Sequence, residues 1–222
     1  MGDSHAAQYM PAFQKLADQN QWQLTVFEKA ACPLTDIIIR FQETGDIKSD
    51  CQSWKSQVID IISTDRPDLV VVAGGLPNIY RGYYWLPNDQ EITTGYANVW
   101  QSLKEQSISI LVIRDNPRPI IDIPSCVASN RTNVELCSRL KSEVLDNHFD
   151  PLVEAAKIAD VSLLDLTDFF CVAEKCPAVI GNTLVYRDGD HLTASFARSL
   201  APYIDISIQL LLQTKKPSAE TL

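Results

Sequence analysis

Residues 66–75 read Arg66-Pro67-Asp68-Leu69-Val70-Val71-Val72-Ala73-Gly74-Gly75, and the order of these types decides the fold. The proline stops a preceding helix, five apolar residues follow without interruption, and two glycines release the chain into a loop. An apolar run of strand length with no polar alternation marks a strand covered on both faces, which is the habit of a parallel sheet wrapped by helices. Upstream, Ser49 or Asp50 can cap a helix reaching to about Asp65, with Trp54, Val58, Ile61 and Ile62 on one face. Downstream, residues 92–106 carry a helical pattern that leads into a second apolar strand, 107–113. Residues 139–160 contain a helix interrupted near Pro151, residues 161–166 form another strand, and residues 192–212 close the chain as an amphipathic helix. At the front, Ala6, Tyr9, Met10, Phe13, Leu16 and Ala17 recur at helical spacing over residues 5–20, and residues 22–27 read as a strand. The expectation is a single α/β domain over residues 1–214, a three-layer α/β/α sandwich with a mostly parallel sheet, followed by a polar, disordered tail at 215–222.

Composition narrows the function. The 222 residues are 45% hydrophobic and 21% charged, enough to bury a large core, and the net charge is −9. No Lys/Arg cluster occurs, which removes nucleic acid and anionic membranes as partners. No apolar run approaches the roughly 18–20 residues that span a bilayer. Met1-Gly2-Asp3-Ser4-His5 lacks the basic and apolar regions of a signal peptide, which by itself points to the cytosol. The six cysteines point the other way. They fall as close sequential pairs, Cys32 with Cys51, Cys126 with Cys137 and Cys171 with Cys176, each in a loop-like stretch. Six cysteines allow 15 connectivities, so the sequence does not select this one, and unpaired structural thiols remain the alternative. No CxxC occurs and the histidines lie far from any zinc-like spacing, so no metal is expected. Disulfides imply an oxidising compartment, with any export element upstream of residue 1.

Two stretches carry chemistry. In Gly2-Asp3-Ser4-His5-Ala6 a serine stands at a helix N-terminus, where backbone N–H groups and the positive dipole end can support a developing oxyanion. The plainer reading is that Ser4 or Asp3 merely caps the helix. In Tyr186-Arg187-Asp188-Gly189-Asp190-His191-Leu192, Asp188 can fold back onto the His191 ring and stabilise the imidazolium formed when His191 takes a serine proton. The plainer reading is a solvated Asp-Gly turn. Both segments enter helices and so belong on the edge of the sheet where loops from the strands' C-terminal ends gather.

With these residues stand others: Cys32-Pro33, Cys51 followed by Trp54, residues 66–70, Asn116-Pro117-Arg118-Pro119, Cys126, Cys176-Pro177, Gly181-Asn182 and His191-Leu192-Thr193. Together they resemble the SGNH hydrolase superfamily, in the subgroup fused behind a membrane-bound acyltransferase family 3 domain. The resemblance implies O-acylation, usually O-acetylation, of a cell-surface glycan such as lipopolysaccharide or another exported polysaccharide. The membrane domain would supply the acyl group, and the site would be extracytoplasmic and tethered. Ser4 is then the nucleophile, His191 the general base and acid, and Asp188 its orienting partner, with no cofactor or metal required. The same triad would serve a carbohydrate O-acetyl esterase, a cytosolic thioesterase or lipase, or, decayed, a glycan-binding module.

The resemblance also implies an oxyanion hole. Ser4 contributes its backbone N–H, Ala31 stands where relatives have glycine, and Gly74 (or Gly75) and Asn78 stand where relatives have Gly-x-Asn-Asp. Asn78 also reads as a turn residue placed by Pro77. His5 is expected on the surface at a helix start and His148 in a structural role. Tyr83, Tyr84 and Trp85 either stack on a sugar or pack together. Relatives carry an apolar strand just before the serine motif, and this chain begins three residues before Ser4. The sheet is therefore expected to lack its first strand and to show an exposed apolar slot.

Overall fold

The computed structural model of the chain describes residues 1–75, 84–145 and 149–213. Its centre is a parallel sheet in the order β1 (Leu69–Val72), β2 (Ser109–Ile113), β3 (Ser162–Leu164). The helices that bear on the site are α1 (Ser4–Ala7), α2 (Met10–Asn20), α3 (Ser49–Asp65), α4 (Asp89–Glu105), α5 (Pro151–Ala159), α6 (Ala194–Ser199) and α7 (Ala201–Gln213). Successive strand side chains point to opposite faces, and β2 divides accordingly. Leu111 and Ile113 pack with α2, α6 and α7, while Ile110 and Val112 pack with α3, α4 and α5. Each such side chain, once fully buried, contributes roughly 1.5–3 kcal/mol. The expected three-layer α/β/α sandwich is the observed one.

Prolines explain most differences from the sequence expectation. Residues 5–20 form two helices, because Pro11 in the first turn of α2 has no N–H and its ring excludes the Ala7 carbonyl. Pro202 sits likewise in the first turn of α7, and the expected closing helix is split at Leu200. Pro151 starts a helix rather than interrupting one, with the Asp150 side chain accepting from Leu152 N at 2.9 Å. In α3, Ile61 is exposed, and the inward face is instead Cys51, Lys55, Val58 and Ile62.

Residues 22–27 carry no strand ladder. A strand needs a neighbour, and the place between this segment and β1 is filled only at one end, by Met1 and Gly2. Gly2 bridges Glu28 on one side and Ala73 on the other, both in parallel sense. The Met1 amine donates to Val71 O at 2.6 Å, and Ala73 N donates to Met1 O at 3.2 Å. Burial pushes that amine down to about 6. Beside Met1 lies a largely apolar groove lined among others by Met10, Phe13, Leu24, Val26, Leu69 and Val71. This groove corresponds to the slot expected in the sheet.

Cys32 is bonded to Cys51, Cys126 to Cys137, and Cys171 to Cys176. Among the described residues no helix is long and apolar enough to cross a membrane. Residues 215–222, expected as a tail, lie outside the described residues.

Candidate active site

The nucleophile segment is seated against β1 by a glycine and an aspartate. Gly2 has φ +144°, and a Cβ there would lie 1.9 Å from the Ala73 carbonyl oxygen, so only glycine allows this approach. Asp3 is fully buried. It accepts from His5 N at 2.8 Å and, through both oxygens, from Gly75 N at 3.1 and 2.9 Å. Asp3 therefore caps α1 and ties it to the loop after β1, and the Ser4 hydroxyl is left to another partner.

That partner is His191. Ser4 Oγ lies 2.9 Å from His191 Nε2. At the other side of the ring, His191 Nδ1 lies 3.0 Å from Asp188 Oδ2. Asp188 Oδ1 accepts from the backbone N–H of Asp190 (2.9 Å) and of His191 (2.7 Å), a turn that folds the carboxylate back toward the ring as the spacing suggested. A second carboxylate reaches the same nitrogen: Asp190 Oδ1 is 2.9 Å from Nδ1.

Behind the ring lies a polar network that the sequence reading missed. Gln8 donates through Nε2 to Asn116 Oδ1 at 2.7 Å and accepts from Leu192 N at 2.8 Å, joining the turn after α1 to the histidine segment. Asn116 Nδ2 donates to Asp190 O at 2.9 Å, and Arg118 Nη2 to Asp190 Oδ2 at 3.0 Å. The Tyr186 hydroxyl donates to Pro117 O at 2.7 Å. Asp115 and Asn116 lie just past the end of β2, after Arg114, and strand C-terminal ends of a parallel sheet are where such groups collect; that was the available signal.

His5 is not at the surface. It is 1% exposed, its Nδ1 is 2.7 Å from Asp115 Oδ1, and its ring centroid is 4.8 Å from that of His191. The helix-start position suggested solvent, but Asp3 and Asp115 draw the ring inward. Burial opposes the charge on His5, yet Asp115, Asp3 and Asp190 together raise it to about 9. His191 is raised above its ordinary value, first by its hydrogen bond to Asp190, with burial and the charge on His5 pulling the other way. Asp190 is held well below the usual carboxylate range, first by His191, then against burial by His5 and Arg118.

The oxyanion candidates are placed unevenly. Ser4 is the first residue of α1, and its backbone N–H makes no hydrogen bond among the described residues. Gly74 sits beside Asp3, 3.3 Å from Asp3 Oδ2 to the position a Cβ would take. Gly75 N–H is spent on Asp3 and is not a free donor. Ala31 adopts φ +51° in the turn after Lys29, whose N–H donates to Gly2 O at 3.1 Å. Asn78, His148 and Tyr83 lie outside the described residues, as does the side chain of Trp85. Tyr84 rests against Phe41, ring centroids 5.6 Å apart. His5, Asp190 and His191 bring one ligand atom each to within 4.8 Å of one another, a spacing that could hold a metal ion.

Comparisons with known proteins place the chain in a family and show its fold. The family model described as the SGNH domain fused to AT3 domains matches residues 1–205. Among solved structures, the chain is similar to the periplasmic domain of a lipopolysaccharide acetyltransferase from Salmonella ser. Paratyphi A. The TM-score is 0.69 at 15% identity, covering 94% of this chain and 81% of that one. No curated protein sequence matches the chain.

Proposed function

Since the chain belongs to the family of SGNH domains fused to AT3 domains, we propose that it is an extracytoplasmic serine acyl-transfer domain. In this reading it moves an acyl group, most simply acetyl, onto a hydroxyl of a cell-surface glycan. The observation that carries the reading is the 2.9 Å contact of Ser4 Oγ with His191 Nε2, with carboxylate on the far nitrogen of the same ring. His191 takes the Ser4 proton as Oγ bonds to the acyl carbonyl carbon. The resulting oxyanion is met by the Ser4 N–H at the start of α1. As the tetrahedral adduct collapses, His191 returns the proton to the leaving group and an acyl-serine remains. A glycan hydroxyl then attacks, giving its proton to His191, and the ester passes to the sugar while Ser4 regains its proton. Positioned proton transfer of this kind contributes roughly 10²–10⁴-fold. A membrane-bound acyltransferase domain is the natural acyl source for this family, and the disulfides suit an oxidising compartment.

The test is a serine-directed fluorophosphonate followed by intact-mass analysis of the oxidised protein and its Ser4→Ala variant. A single adduct lost in the variant is expected. Labelling that persists in Ser4→Ala, or its absence in both, overturns the reading. Enzyme not exposed to the fluorophosphonate is then given p-nitrophenyl acetate with and without an oligosaccharide: acetylated sugar supports transfer, and acetate alone marks an esterase.

A further inference from the structure

His191 Nδ1 has one N–H to give and two carboxylates within reach, and they are not equivalent. Asp188 is the more open, its side chain 41% exposed, with Arg187 Nε 3.8 Å from the same Oδ2 that faces the ring. Asp190 is 20% exposed, and its other oxygen is held at 3.0 Å by Arg118, itself 14% exposed. On that oxygen's far side stands His5, its Nε2 4.0 Å away and without a hydrogen-bond partner among the described residues. Asp115, at 2.7 Å, supplies the counter-charge that lets this buried imidazole face Asp190 as a cation, with Asp3 also nearby.

We propose that Asp190 is a second positioning carboxylate for His191: clamped by Arg118 and faced by the His5–Asp115 pair, it shares the Nδ1–H with Asp188 and keeps the ring turned toward Ser4. The inference rests on the reading of Ser4 and His191 as nucleophile and base. Two facts favour it over a purely structural Asp190–Arg118 pair. Asp190 presents a different oxygen to each neighbour, Oδ1 to His191 and Oδ2 to Arg118, so the clamp leaves the ring-facing oxygen unoccupied. Water also competes less for the more buried carboxylate, so its attraction to the ring is screened less. The charged groups around the ring then balance: Asp188 and Asp190 raise its basicity, while His5 restrains it.

Two readouts test the inference on the intact chain. The first is the rate of Ser4 labelling by the fluorophosphonate in Asp188→Asn, Asp190→Asn and the double variant. Each single variant is expected to lose about tenfold, the other carboxylate covering for it. The double variant is expected to lose about 10⁴-fold, the loss seen when a serine triad has only one carboxylate and loses it. If Asp188→Asn is already as slow as the double variant, Asp190 has no share and the proposal fails. The second readout is the titration of His191 followed by NMR of protein carrying ¹⁵N-histidine, which has three histidines to resolve. Its midpoint is expected to fall in Asp190→Asn; an unchanged midpoint overturns the proposal. Should Asp190→Asn fail to fold, Arg118→Met in the Asp188→Asn background serves instead, since unclamping Asp190 is expected to slow labelling further only there. The NMR titration needs no reaction at Ser4, so an unreactive serine sinks the functional reading while the carboxylate pairing is still decided.

Discussion

The two segments that meet at the Ser4–His191 contact are held by different means. Residues 186–193 close on themselves: Asp188 takes the N–H groups of Asp190 and His191, Arg187 N donates to His191 O, and Tyr186 bridges Leu192. These bonds span a few residues each, so the loop entropy they must overcome is small. Residues 1–3 have no such internal scaffold. Apart from the bonds by which Asp3 caps α1, their partners are Phe27 O, Lys29 N, Val71 O, Ala73 N and Gly75 N, all distant in sequence, and an apolar groove opens beside them. The turn that carries the base is thus formed locally, with Gln8, Asn116 and Arg118 joined to it from elsewhere, and the nucleophile is positioned by the sheet. Damage to the sheet edge should unseat the serine and leave the histidine turn intact.

A pair of glycine substitutions is the hardest strike against that contrast. Gly2→Ala drives a Cβ to 1.9 Å from the Ala73 carbonyl oxygen, a backbone atom that cannot step aside. Gly189→Ala meets only an ordinary 3.5 Å contact with Ile121 O. A displacement of about 1 Å at a reacting atom costs on the order of 100-fold, so Gly2→Ala should slow Ser4 labelling by at least about that factor. Gly189→Ala should stay within about twofold. Equal losses in the two variants break the comparison.

Filling the groove should act in the opposite direction. An extension of five apolar β-branched residues joined to Met1 would run parallel to β1 and meet Leu24, Val26, Leu69 and Val71. Two or three newly buried side chains contribute about 1.5–3 kcal/mol each, against roughly 1–2 kcal/mol for each residue ordered, part of which new ladder bonds recover. A net gain of about 2–3 kcal/mol corresponds to a Tm rise of roughly 4–12 °C. The serine should label faster, and the ¹⁵N signals of His191 should barely move. A Tm that does not change means the groove does not accept a strand.

The same contrast explains what could be read from the sequence. The histidine turn is local, so Asp188 and His191 were legible from a three-residue spacing, and the buried strand at 69–73 was legible from an unbroken apolar run. Asp190 lay inside the quoted motif and was passed over because its role depends on Arg118, which approaches through tertiary structure. His5 was misplaced for the same reason: position at a helix start says exposed, and only the fold brings Asp115 beside it. The 22–27 segment has strand composition but lacks the neighbour that would make it a strand. Ala31 and Gly74 were named only through the family resemblance, and nothing local reveals which backbone N–H groups are already used.

A gentler probe of the same edge is Nα-acetylation, which keeps the Met1 N–H to Val71 O and removes the charge. The amine is lowered from 8.0 to about 6 by burial, so between those values the unfolded chain holds the proton and the folded chain does not. The unmodified protein therefore gains stability as pH rises through that window, and the acetylated protein has no such term. Acetylation should stabilise by about 1–2 kcal/mol below pH 6, discounted for screening in the open groove, and by nothing above pH 8. Urea titrations of both forms at pH 5.5 and 8.5 check it. A constant difference means the amine is not desolvated by the groove wall.

The smallest effect should come from Ala31, in the turn that receives Gly2 through Lys29. At φ +51° its Cβ crowds the following carbonyl, a strain of about 1–2 kcal/mol that glycine does not feel. Ala31→Gly also loosens the unfolded chain, which takes back about 0.5–1 kcal/mol. The balance is a stabilisation of up to about 1 kcal/mol in the urea midpoint at constant slope. Because the substitution relaxes a support of the serine and touches nothing on the histidine turn, labelling at Ser4 should hold or rise slightly while the His191 titration stays fixed. A shift of that titration by Ala31→Gly would show that the two segments are coupled through the sheet edge, and that the histidine turn is less self-contained than its hydrogen bonds imply.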